Sequence, residues 1–178
     1  VDFLRPAPHC GLRLEHCAVP DDALIGAQGS AFEAMSIPFR AVEDAVAAGK
    51  LAGALHHLLD RAAAMALAGE GREAVPAELG ALAGLAAALD SVALDLAQAL
   101  DDAMEDAPAQ KARLVGSRVL TQLLLERLEA LAARLGLAWS AAEAVLLRDL
   151  GKSLDIAKAP RLTQQTRLGL SLLEPATP

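Results

Sequence analysis

Residues 79–100 read LGALAGLAAALDSVALDLAQAL, and Leu79, Leu82, Ala86, Leu89, Ala93, Leu96 and Leu100 recur at alternating three- and four-residue steps. That spacing lays one apolar stripe along an α-helix. The run is long enough and apolar enough to span a bilayer. However, Asp90 and Asp95 stand near its middle, where a carboxylate is costly in lipid. A helix buried in a protein core accounts for both the stripe and the charges.

The whole chain shares this bias. It has 178 residues, of which 54% are hydrophobic, mostly Ala and Leu, with one Trp, three Phe and no Tyr. Ala and Leu favour helices, whereas sheets draw on β-branched and aromatic residues. The formal charge of −7 argues against a nucleic-acid surface, which needs a basic stripe, and against an anionic membrane face. No secretory signal pattern stands at the start. Two cysteines in an acidic, helix-rich chain lead to the expectation of free thiols in a reducing, cytoplasmic setting.

Working outward, a first helix is expected over 38–68. It has a lead-in at 30–36, Pro38 in a favoured first position and Gly69-Glu70-Gly71 as its stop. The striped helix runs over 76–105. A third covers 108–135, with Leu114, Leu124, Leu128, Leu131 and Leu135 on its seam. Leu120, Leu123 and Leu125 widen its apolar face, and Gly136 ends it. Ser140 and Glu143 form a capping box for a fourth helix that reaches 157 and stops before Pro160. A last helix spans 162–173. Long helices joined by short loops predict an all-α domain over 30–178, an antiparallel four-helix-type bundle with an extra C-terminal helix.

Residues 1–29 differ. Residues 12–19, LRLEHCAV, alternate and end at Pro20, the pattern of a short strand. A strand cannot satisfy its backbone without neighbours. This segment is therefore expected to be the remnant of an upstream β-domain, and the chain the C-terminal part of a longer protein.

Several constellations are of residue types that can carry chemistry. His9-Cys10 and His16-Cys17 are soft-metal ligand types, but an odd spacing on one strand points Cys10 and Cys17 to opposite faces. No metal site is expected. His56 and His57 diverge by about 100° on a helix, and no acid–base partner is evident for either. Asp90, Asp95, Asp101, Asp102, Glu105 and Asp106 lack the Glu-x-x-His motifs of a di-iron bundle. They read as a solvated face or as ion pairs to neighbouring helices. No GxGxxG, GxxxxGK[ST] or GxSxG motif occurs.

The order of elements is more specific. The segment Leu14-Glu15-His16-Cys17-Ala18-Val19-Pro20-Asp21-Asp22-Ala23-Leu24-Ile25-Gly26-Ala27-Gln28-Gly29 resembles the junction in acyl-CoA dehydrogenases. There, the last strand of the middle β-domain turns into the C-terminal helical domain. Ala47-Ala48-Gly49 and Gly53-Ala54-Leu55 are similar to that domain's first helix. Arg148-Asp149-Leu150 with Ser153-Leu154-Asp155-Ile156 is similar to a late Arg-Asp segment. The resemblance covers nearly the whole chain and implies a flavoprotein of fatty acid metabolism. Its activity would be FAD-dependent oxidation of an acyl-CoA CH–CH bond.

Carried over position by position, the resemblance implies the following. The substrate-binding Asp-x-x-Arg pair becomes Arg40 and Glu43, with the charges exchanged. The Arg-x-x-Phe-Gly loop that meets FAD becomes Ala68-Gly69-Glu70-Gly71-Arg72, leaving Arg72 as a cofactor contact. The Gln-x-x-Gly-Gly-x-Gly segment maps to 130–136, where Gly136 alone remains. The catalytic Glu falls at Ala157 or Lys158, and the alternative base position on the first helix is Val42, beside Glu43. No catalytic residue is assigned. The resemblance also implies a dimer or tetramer through the third and last helices. A catalytically inert homologue, acting as a structural or interaction bundle, stays open as the alternative.

Overall fold

The structure is a computed structural model, and it describes residues 11–68, 75–102, 107–156 and 158–173. Five helices follow one another: α1 (Ile37–Ala68), α2 (Val75–Asp101), α3 (Ala107–Leu135), α4 (Ala141–Ile156) and α5 (Lys158–Leu173). The chain is an all-α bundle. Helices α1, α2 and α3 pack on one another, α4 lies against α1 and α5, and α5 lies against α3.

The stripe of α2 is the centre of this arrangement. Leu82, Ala86, Leu89, Ala93 and Leu96 are buried, and Leu79 and Leu100 pack at the two ends. Leu55 and Leu58 of α1 and Leu124, Leu128 and Leu131 of α3 close the main core with them, and Leu147, Leu150 and Leu154 of α4 join it. A smaller cluster of Ala45, Ala48, Ala93 and Leu96 continues the core toward the start of α1. Asp90 and Asp95 lie off the stripe, bonded to His56 and Arg113 of neighbouring helices. Thus α2 is long and apolar enough to cross a membrane, yet its apolar face is covered by α1 and α3.

The expected strand does not form. Residues 12–19 run without ladder partners, with Leu12, Leu14 and Val19 exposed and His16 at φ 51°. No other described segment is a strand, so this one has nothing to pair with. A single turn of 3₁₀-helix follows at Asp21–Ala23. Cys17 is a free, exposed thiol; His9 and Cys10 lie outside the described residues. No cluster of potential metal ligands occurs among the described residues.

Two helix starts also differ from expectation. Pro38 does not open α1, because a π-helical turn at Phe32–Ser36 leads straight into it, with the Ile37 N–H bonded to the Phe32 carbonyl. Pro38 has no N–H to donate and its ring crowds the carbonyl four residues back. The wider turn relieves that crowding. Helix α5 begins at Lys158 instead of 162, which puts Pro160 in its first turn, where the missing N–H has no intrahelical acceptor to lose.

Candidate functional site

Helical spacing decides which side chains meet. Arg40, Glu43 and Asp44 stand three and four residues apart on one face of α1, and Leu114 and Arg118 stand four apart on α3. Pro160, Arg161 and Gln164 open α5, and Ile156 ends α4. These residues enclose a cavity of about 190 Å³. A larger, more apolar hollow of about 310 Å³ adjoins it and shares Arg40, Asp44, Leu114 and Gln164.

The electrostatics are dominated by arginine. Arg118 Nη2 donates to Asp44 Oδ1 at 2.9 Å, a partly buried pair that ties α3 to α1. Arg40 and Glu43 are exposed at the rim. Arg161 is buried, and its Nε and Nη1 atoms have no hydrogen-bond partner among the described residues. Lys158 lines a second cavity of about 190 Å³ on the other side of Arg161.

No family model, curated protein or solved structure matches the chain.

Of the site positions read from the sequence, Arg40 and Glu43 line the main cavity. Arg72 lies outside the described residues, as does Ala157. Gly136 has φ 62° and closes α3: its N–H bonds to Ala133 O at 3.2 Å, and the Leu137 N–H reaches Ala132 O at 2.9 Å. Those two bonds are a Schellman ending, which requires a left-handed residue. Helix termination alone accounts for this glycine, and it lines none of the cavities described above. Gly136→Ala is expected to destabilise the fold by roughly 1–2 kcal/mol, measured by urea denaturation. A neutral result would mean the αL ending is not needed.

FAD, implied by the resemblance, has two positions in this chain. One is outside the described residues and the other is engaged in ending a helix. Lys158, at one of the two base positions, is an exposed ammonium donor at the head of α5 and supplies no carboxylate.

Long-range charge pairs escaped the sequence reading. His56 Nε2 lies 2.7 Å from Asp90 Oδ2, half-exposed between α1 and α2, so His56 does have a carboxylate partner. Ser91, the adjacent hydroxyl, donates to Ala87 O at 3.1 Å within its own helix, and the pair reads as an interhelical clamp. Arg61 Nε donates to Glu143 Oε1 at 2.6 Å, joining α1 to α4. Arg134 and Glu78 pair α3 with α2.

Proposed function

We propose that this chain is the C-terminal helical part of an acyl-CoA dehydrogenase-like flavoprotein, which oxidises a CH–CH bond of an acyl-CoA with FAD. One observation carries the reading. The resemblance assigns substrate contact to Arg40 and Glu43 and the base to residue 157 or 158, more than a hundred positions later in the sequence. Arg40 and Glu43 line one cavity with Ile156, Pro160 and Arg161, which flank the base position in sequence, and Lys158 lines the cavity on the other side of Arg161. The substrate positions and Lys158 thus border Arg161 from its two sides, and that nearness supports the reading.

Within that cavity, this chain's own residues would bind and orient the ligand. Arg40 and Arg161 attract its anionic groups, and the adjoining hollow between Ile37, Leu96, Leu100 and Leu114 suits an apolar portion. Asp44 is held by Arg118. Glu43 is the carboxylate of the cavity with no partner among the described residues, so it is the group here that could accept a proton. Holding such groups in a fixed geometry is the protein's contribution to a reaction of this class.

The surface supports a composite assembly. Phe32, Ile37, Phe39, Val42 and Val46 stand exposed along the start of α1 and the turn before it, as do Leu170, Leu172 and Leu173 at the end of α5. Apolar area of this extent marks an interaction surface. A β-domain preceding the bundle would cover the first patch, and a second copy of the protein, in a cytoplasmic homo-oligomer, would cover the second.

One observation favours the alternative, a catalytically inert homologue acting as an interaction bundle: the ammonium of Lys158 where a carboxylate base would fall. Visible absorbance separates the two. The complete native polypeptide should purify with a flavin spectrum that bleaches when an acyl-CoA is added. A colourless protein that takes up no added FAD would sink the flavoenzyme reading and leave the inert one.

A further inference from the structure

Arg161 is left unexplained by packing. The residue is 9% exposed, and two of its guanidinium nitrogens, Nε and Nη1, are sealed from solvent with no hydrogen-bond partner among the described residues. Arginine keeps its charge at any pH a protein meets. A largely buried charge with no counterion among the described residues is costly to a fold, so a site of this kind asks for an anion.

The carboxylates nearby do not supply it. Asp44 is engaged by Arg118 at 2.9 Å. Glu43 stands exposed at the rim, and on the other side of Arg161, Glu126 and Asp155 are exposed, with Glu126 accepting from Gln122 at 2.7 Å. The fold instead collects positive charge at this place, on a chain whose net charge is −7. Arg40 and Arg118 line the same cavity. Pro160 also lines it and is the third residue of α5. The first turn of that helix, the positive end of its dipole, therefore borders the cavity.

We propose that the cavity beside Arg161 is an oxyanion site that takes a phosphoryl group, with Arg161 as its buried anchor and Arg40 at its mouth. Charge matching selects the ligand class. With Asp44 neutralised by Arg118, the positive charges of Arg40 and Arg161 exceed the single negative charge of Glu43, and the helix start adds roughly half a charge. A phosphate monoester carries about −1.5 to −2 at neutral pH, a closer match than a single carboxylate. Helix starts and arginine are the two protein elements best suited to phosphoryl oxygens. The cavity of about 190 Å³ leaves room for the group. The inference rests on Arg161 and its surroundings and holds whether or not the bundle acts on an acyl-CoA.

The test is the thermal midpoint of the complete native polypeptide in inorganic phosphate against sodium chloride of equal ionic strength. At about ten times Kd the wild-type midpoint should rise by roughly 3–6 °C. Arg161→Met should abolish the rise and, in chloride, melt no lower than wild type, because it removes an uncompensated charge. Arg40→Gln, on the exposed rim, should keep its chloride midpoint and show a smaller phosphate shift, and it carries the test if the Met variant does not fold. Phenyl phosphate in place of phosphate locates the source: a larger shift assigns the site to the phosphoryl group of a bigger ligand, an equal or smaller one to free phosphate. Equal wild-type midpoints in phosphate and chloride overturn the proposal, as does a shift that persists in both variants.

Discussion

Leu128→Ala should lower the unfolding free energy by about 3–4 kcal/mol and the thermal midpoint by roughly 6–15 °C. Leu128 is 0% exposed in the middle of α3, where side chains from α1, α2 and α4 converge in the same cluster. Removing its branched end withdraws apolar surface from the core and leaves a void that rigid helices on several sides cannot close. Both terms act together, which puts the cost in the upper part of the range for such truncations. A domain of this size holds about 5–15 kcal/mol in all, so the loss is a large share of the total. Leu94→Ala is the matched control. Leu94 sits on α2 off the stripe and is 70% exposed, so the same truncation should stay within about 0.5 kcal/mol of wild type. Urea titrations of the two variants beside wild type decide the matter. Equal losses would mean that the core is not centred where α3 meets α2.

That contrast between Leu128 and Leu94 was legible in the sequence, because helical periodicity alone separates the two positions. The same is true of the α2 stripe, the Gly136 ending and the Ser140–Glu143 capping box, each of which depends on residues within a few turns of one another. What periodicity does not carry is the register between helices. Arg118 and Asp44 are 74 residues apart, His56 and Asp90 34 apart, and Arg61 and Glu143 82 apart. Nothing in a single helix says which charge on its neighbour will lie opposite. The seam of α3 also holds Ser117 and Thr121, both buried, which no apolar pattern would select. Their hydroxyls are satisfied within α3 itself, Ser117 on Leu114 O at 2.9 Å and Thr121 on Ser117 O at 2.7 Å.

The cavity shows the same division. Arg40 and Glu43 were marked by resemblance, but Arg161, the buried cation of the cavity, and the Arg118–Asp44 pair beside it carry no local signal. An arginine after a proline in a helix's first turn is ordinary in sequence. The packing of the helices around α5 buries it, and no partner among the described residues meets its Nε or Nη1. The strand expected at 12–19 failed for a related reason. Alternation is a statement about two faces, and a strand also needs an edge to bond to, which no other described segment provides.

Glu143 is where a local signal and a long-range contact coincide, and acid should expose it. Its Oε2 accepts the Ser140 N–H at 2.7 Å and its Oε1 the Arg61 Nε–H at 2.6 Å, with the side chain 7% exposed. The Ser140 amide first, and then the Arg61 guanidinium, hold its pKa at about 2, down from 4.5. A carboxyl whose pKa is depressed on folding stabilises the fold in full above its unfolded value, and that contribution is lost as pH falls toward the folded value. The stability Glu143 provides is therefore present at neutral pH and fades between about pH 5 and pH 2. Glu143→Gln removes the charge while keeping an oxygen for the Ser140 amide. The gap in unfolding midpoint between wild type and Glu143→Gln should be constant above about pH 5 and close toward pH 2. Other carboxylates titrate in both proteins, so the difference isolates this one. Arg61→Met tests the cause: in that background Glu143→Gln should open a smaller gap at neutral pH, and one that has fully closed at a higher pH, because the second of the two groups holding the folded pKa down is gone. A gap that persists unchanged from neutral pH down to pH 2 would show that Glu143 acts through packing and not through its charge.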